Sequence, residues 1–224
     1  MPSVKFKNQL HLHFLVFIAG FTAILGELIS IDAIALVWFR MVIAAVLMFV
    51  YIKIKRVDLK IPFKSILKFF VAGIIIALHW ITFFAAIKAS NISITLAMFS
   101  TGAFFAAFIE PLFFRRKIIG YEIFFGLVVI LGVVLITQTE LRYLTGIILG
   151  ISSALFSTLF AVLNGKFVEQ YGATVISFYE FIGGVAFISL YLMVSDQGFN
   201  EDFFILNSTD WMCLFVLASI CTAY

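Results

Sequence analysis

The sequence predicts an all-α integral membrane protein, a polytopic bundle of transmembrane helices. Three observations carry that expectation. First, 64% of the residues are hydrophobic and 12% are charged, against about half and a quarter in a soluble domain. So few charged groups cannot cover a water-facing surface, and most of the surface must face lipid. Second, the apolar residues form long unbroken runs such as Phe124–Ile136 and Val185–Val194. In lipid every backbone N–H and C=O needs an internal partner, which leaves helices or a closed barrel. A barrel alternates over segments of about ten residues; these runs do not. Third, Lys and Arg gather in every second gap between runs.

A helix needs about 20 apolar residues to cross the hydrocarbon, and seven such spans can be read in order. The first, about residues 12–30, follows Lys5 and Lys7 and runs directly into further spans, so it reads as an uncleaved helix, not a signal peptide. The second covers about 33–52 and stops at Lys53, Lys55 and Arg56. The third, about 67–88, is rich in aromatics. The fourth, about 92–114, opens on Asn91, Ser93 and Thr95, which suit a helix cap. It closes on Arg115, Arg116 and Lys117, where Glu110 is expected to pair at the interface. The fifth is about 120–138. The sixth, about 144–164, is expected to stop at Asn164-Gly165. Its Ser152, Ser153, Ser157 and Thr158 favour close helix approach or the lining of a cavity. The seventh is about 173–194. An eighth begins near Trp211, and from there Tyr224 lies only about 21 Å along a helix. The expectation is a chain cut within its eighth span.

Basic residues fix the expected orientation. With a cytoplasmic N-terminus, the inner segments hold Lys5, Lys7, the Lys53–Lys68 group, Arg115–Lys117 and Lys166. Only Lys88 and Arg142 fall outside. The last outer loop carries Asp196, Glu201, Asp202 and Asp210 and no base.

Ala35–Tyr51 (ALVWFRMVIAAVLMFVY) aligns with Val175–Tyr191 (VISFYEFIGGVAFISLY) at an offset of 140, placing Arg40 on Glu180 and Thr82 on Thr222. A five-helix unit is odd, so its second copy would be inverted, as in secondary transporters. The expected units are 1–138 and 144–224, the latter truncated in its third helix.

The segment His79–Gly132, HWITFFAAIKASNISITLAMFSTGAFFAAFIEPLFFRRKIIGYEIFFGLVVILG, joins four features. They are an aromatic-rich third helix ending in Ala86–Ser90, a small-residue fourth helix, a short basic turn, and a fifth helix carrying Gly126 and Gly132. With Arg40 behind an aromatic pair in the second helix, the chain resembles the EamA family of the drug/metabolite transporter (DMT) superfamily. The resemblance covers essentially the whole chain. It implies ten helices in two inverted five-helix repeats, about seven and a half of them present here, and transport or export of amino acids and other small metabolites. Two departures stand out: Ser100-Thr101-Gly102 replaces a mid-helix proline common in the family, and Lys117 stands where many members carry an acid.

Polar groups inside spans default to functional candidates. Arg40 can attract an anionic substrate group or be held by Glu27, whose depth allows a pair. Glu180 sits too far along its helix for direct pairing with Arg40. His79, midway along the third span, can accept and pass a proton, which suits proton coupling. Trp80, Phe83 and Phe84 suit an aromatic cavity wall. The bland alternatives are a fixed or snorkelling Arg40, a His79 bonded to a neighbouring helix, and aromatics that simply fill the core.

Cys213 and Cys221 sit too far apart along one helix for a disulfide and read as small apolar residues. The Asn91 and Asn207 glycosylation matches read as chance. No nucleotide loop, catalytic elbow or metal motif is present, so no cofactor, ATP drive or nucleic acid is expected. The leading reading is a non-enzymatic secondary transporter of the plasma (inner) membrane, with a small-molecule substrate and the lipid bilayer as partners. A membrane enzyme would need a cluster of His and acids, and a channel a charge ring or filter loop. Oligomeric state is not legible.

Overall fold

The computed structural model describes residues 4–139, 141–195, 198–199 and 201–223, and every regular element among them is helical. The helices are α1 (Val4–Leu28), α2 (Ala33–Lys55), α3 (Phe63–Ala89), α4 (Ile92–Phe99), α5 (Gly102–Phe114), α6 (Gly120–Thr139), α7 (Leu144–Phe167), α8 (Ala173–Val194) and α9 (Ser208–Ala218). Tight 3-10 turns occupy Leu141–Tyr143 and Glu201–Phe204, and a π turn follows α9 at Ser219–Ala223. With α4 and α5 taken together, seven helical spans among the described residues are long and apolar enough to cross a membrane. Asp196, counted with the loop acids, and Tyr224, the expected end of the second unit, lie outside the described residues.

Helix α3 is the hub, packing against α7, α8, α2, α1 and α4. Its most apolar window is 56% buried, against 11% for α1 and for α6. The last two therefore present exposed leucine, valine and phenylalanine to lipid, which is where an apolar surface belongs in a bilayer. Bare backbone brings the central helices together. A Cβ on Gly73 of α3 would run into the carbonyl oxygen of Glu180 on α8, and one on Gly183 would stand 2.7 Å from the Phe70 Cα. On α7, a Cβ at Gly150 would stand 2.7 Å from Met98.

Helices α2 and α8 cross antiparallel. Trp38 Nε1 donates to Ser189 Oγ at 2.9 Å, and further along Phe49 stacks on Phe178 at 6.2 Å. At the end of the bundle that carries the α1–α2 turn, Trp38, Phe39, Phe199, Phe203 and Trp211 form an aromatic lid, edge-to-face except where Phe39 stacks on Phe203.

The structure departs from the expected spans in four places. The fourth is broken at Ser100–Thr101, where Thr101 N bonds Met98 O at 3.1 Å and Ala103 N bonds Ser100 O at 3.2 Å. These bonds reach back three residues, tightening the helix locally. The Ser100 and Thr101 hydroxyls donate to Ala97 O at 2.6 Å and Met98 O at 2.7 Å, keeping the disturbed carbonyls satisfied without water. The sixth does not stop at Asn164; α7 continues to Phe167 because the Asn164 amide finds a partner on α8. Helix α1 starts at Val4, since a helix can run past the hydrocarbon through polar residues. Helix α9 starts at Ser208, set by Asn207 and Asp210 in a reciprocal capping box. Asn91 caps α4, its side chain accepting from Ile94 N at 2.9 Å.

Candidate functional site

The middle of α2 faces α3, and this places Arg40 in the interior at 2% exposure. Its guanidinium lies flat over Trp80, with Cζ 3.8 Å from the ring centroid, and Phe84 lies behind at 5.8 Å. Nε donates to Thr222 Oγ1 at 2.8 Å, and Nη1 has no partner among the described residues. The magnitudes show why Arg40 is tolerated. Placing Arg at a helix centre costs about 2.5–3.5 kcal/mol on insertion scales. A desolvated cation–π contact returns about 2 kcal/mol, and an interhelical hydrogen bond about 0.6 kcal/mol. The sum roughly balances, yet one donor arm stays unsatisfied. The pairing with Glu27 is not made: Glu27 lies on the exposed face of α1, turned away from the interior.

His79 is buried one residue from Trp80, on the α7 side of α3. Nδ1 lies 3.0 Å from Ser153 O and 2.9 Å from Ser153 Oγ, and Ser153 Oγ returns a bond to His79 O at 3.2 Å. The ring stacks on Phe99 at 5.5 Å, and Phe99 also touches Phe83 at 5.6 Å. Phe83 and Trp80 are therefore core aromatics that join His79 to Arg40. Glu180 is 2% exposed and accepts from Asn164 Nδ2 at 2.9 Å. It sits beside the Gly73 crossing and makes no ion pair with Arg40. Five of the seven candidates, Arg40, His79, Trp80, Phe83 and Phe84, thus meet around α3. Glu180 borders them through Phe181, which stacks on Trp80 at 6.4 Å, and Glu27 lies apart.

The sequence singled out Ser153 for close helix approach and Asn164 as a helix stop, and the offset of 140 paired Thr222 with Thr82, but none of the three was foreseen as a partner of His79, Glu180 or Arg40. Two ties at opposite ends also escaped. At the α1–α2 end, Ser30 N and Oγ donate to the two Asp210 carboxylate oxygens at 2.7 and 2.8 Å, and Lys88 Nζ donates to Ile29 O at 3.0 Å. At the α2–α3 end, Ser65 Oγ and Tyr171 Oη lie 2.7 Å apart, and Tyr179 Oη donates to Leu59 O at 2.9 Å. The expected Glu110 pair is present and larger than foreseen: Arg116 Nη2 bonds Glu110 at 3.1 Å and Glu122 at 2.8 Å.

Among the described residues no group of three or more His, Cys, Asp or Glu is placed to hold a metal ion. The arrangement is instead a closed polar interior held by helix-to-helix bonds, with one guanidinium arm to spare. No curated protein and no solved structure matches the chain. The model of the EamA-like transporter family matches residues 10–138, a little over half of the chain. The apolar spans, the helical bundle and that match together make this chain an integral membrane protein of the EamA-like transporter family.

Proposed function

We propose that the protein is a secondary carrier of small metabolites, such as amino acids or related compounds, and that Arg40, His79, Trp80, Phe83 and Glu180 border the substrate path. The observation that carries this reading is the concentration of buried polar groups on α2, α3, α7 and α8 around one hub helix. In a bilayer such groups are expensive and mark pathways. Residues 1–138 and 144–224 are read as two inverted repeats. In support, the contact of Trp38 with Ser189 and that of Phe49 with Phe178 map onto each other under the offset of 140. The N-terminus is read as cytoplasmic from the basic residues of the α2–α3 and α5–α6 turns. His79 is the candidate for proton coupling.

The test is counterflow of radiolabelled amino acids and other small metabolites in liposomes, with and without a pH gradient. Saturable counterflow that Arg40→Gln abolishes is expected, with His79→Gln removing any stimulation by the gradient. Ungated leak with no counterflow from any pool would replace the carrier reading with a channel.

A further inference from the structure

Arg40 is a cation buried without a counter-ion among the described residues, and its Nη1 has no partner. The residue that holds its Nε, Thr222, also lines a cavity of about 570 Å³. That cavity lies between α2, the start of α8 and the π turn after α9, with Tyr51, Thr174, Ser177 and Ser219 on its wall. Among the described residues its polar lining is hydroxyl, and no acid contributes to it. Arg40, Leu47 and Tyr51 fall on one stripe of α2, at i, i+7 and i+11, so the cavity continues the Arg40 face towards the α2–α3 end. Just beyond Tyr51 come Lys53, Lys55 and Arg56. The second cavity, about 610 Å³ between α5 and α7, also shows hydroxyls, from Ser100, Ser157 and Thr158, but an acid, Glu110, edges it.

We propose that the hydroxyl-lined cavity is the vestibule of an anion site, and that the solute the protein carries bears a carboxylate. The carboxylate enters from the α2–α3 end, steered by the basic rim, and exchanges hydroxyl donors along the wall. It then takes the place of Thr222 on Arg40, where a planar guanidinium can bind two carboxylate oxygens at once. The π turn makes the exchange feasible: Thr222 Oγ1 donates to Leu217 O at 2.8 Å, so it keeps a partner when Arg40 leaves it. A cavity of this volume accommodates a solute of amino-acid or small organic-acid size. The inference rests on the carrier reading for its meaning, but its test does not need transport.

The test uses Ser177→Cys with Cys213 and Cys221 replaced by Ala, in the reconstituted protein. Labelling rates are compared for a negatively charged and a positively charged methanethiosulfonate, with Gln170→Cys as an exposed control on the α7–α8 turn. The expected result is a negative-to-positive rate ratio about tenfold higher at Ser177→Cys than at the control, and protection by millimolar acetate but not acetamide. Arg40→Gln should remove both effects, while Arg40→Lys keeps the ratio and weakens the protection. Equal ratios at the two positions, or a ratio indifferent to Arg40→Gln, would overturn the proposal. Should Arg40→Gln fail to fold, acetate against acetamide on Ser177→Cys alone decides it: equal protection by the two, or none by either, overturns it. Counterflow without charge preference would sink the anion site and leave the carrier; charge preference without counterflow would do the reverse.

Discussion

Asp210 shows how a single side chain can close one end of a helix bundle. It sits in the first turn of α9, ahead of the apolar stretch that starts at Trp211. Burial alone would raise its pKa. The Ser30 N–H and hydroxyl and the Asn207 N–H favour the ionised form more strongly, so the carboxyl lies below the ordinary aspartate range. Asp210→Ala should strip the α1–α2 turn of two acceptors and remove the reciprocal arm of the α9 capping box, while the Asn207 side chain keeps the backbone N–H of residue 210. Ser30 and Asn207 are exposed and can turn to water, so the loss is that of net hydrogen bonds, about 0.5–1.5 kcal/mol, which a lowered thermal midpoint in detergent would register. The pH dependence follows from the sign of the shift. The stabilisation is present in full above the ordinary aspartate pKa and is lost as pH falls through the lower folded value. The midpoint gap between wild type and Asp210→Asn should therefore hold from neutral pH into the ordinary aspartate range and narrow only below it. A gap that closes near neutrality would show that the carboxylate is not what holds the turn.

At the level of elements, the decisive contacts are those where side chains are absent. Helices α3 and α8 touch at Gly73, Gly183 and Gly184, and the added Cβ at Gly73 meets backbone, which cannot swing aside. Gly73→Ala is expected to destabilise by about 1–3 kcal/mol, as overpacking does, and to reduce the monodisperse fraction on size exclusion. Gly132→Ala is the control: nothing lies within 4 Å of its Cβ, and alanine favours the helix. Equal behaviour of the two variants would mean the crossing is looser than drawn. The positions of the spans were legible in hydropathy, and the Asn91 cap and the Glu110 ion pair in local chemistry. The break at Ser100–Thr101 was not, because its carbonyls are satisfied by hydroxyls that also occur in straight helices. Asn164 was misread as a stop for a related reason. A local sequence cannot reveal that Glu180, on the next helix, will satisfy its amide. The Arg40–Glu27 pair failed similarly, since depth fixes height along a helix and says nothing about which face a residue occupies.

Over the whole molecule, the ties at the two ends bear on how a carrier would move. Ser30–Asp210 joins the α1–α2 turn to α9, and Ser65–Tyr171 joins α3 to the α7–α8 turn. Under the repeat reading, α1–α2 corresponds to α7–α8 and α9 to α3, so each tie is the counterpart of the other at the opposite face. Alternating access needs each face to open in turn, and these are the bonds whose breaking would permit it. The prediction that tests the frame is topological. With Cys213 and Cys221 replaced by Ala, Lys117→Cys and Gln170→Cys should react with an impermeant thiol reagent only from the cytoplasmic side. Ser208→Cys, beside the Asp210 tie, should react only from the other. A reversed pattern would keep the bundle and invert the orientation, moving the basic rim of the anion vestibule to the outer face. Labelling of all three from one side would deny the antiparallel arrangement of the two units, and with it the equivalence of the two ties. The expected pattern would leave one further consequence: breaking either tie alone, by Asp210→Asn or Tyr171→Phe, should raise the labelling of buried positions from its own side only.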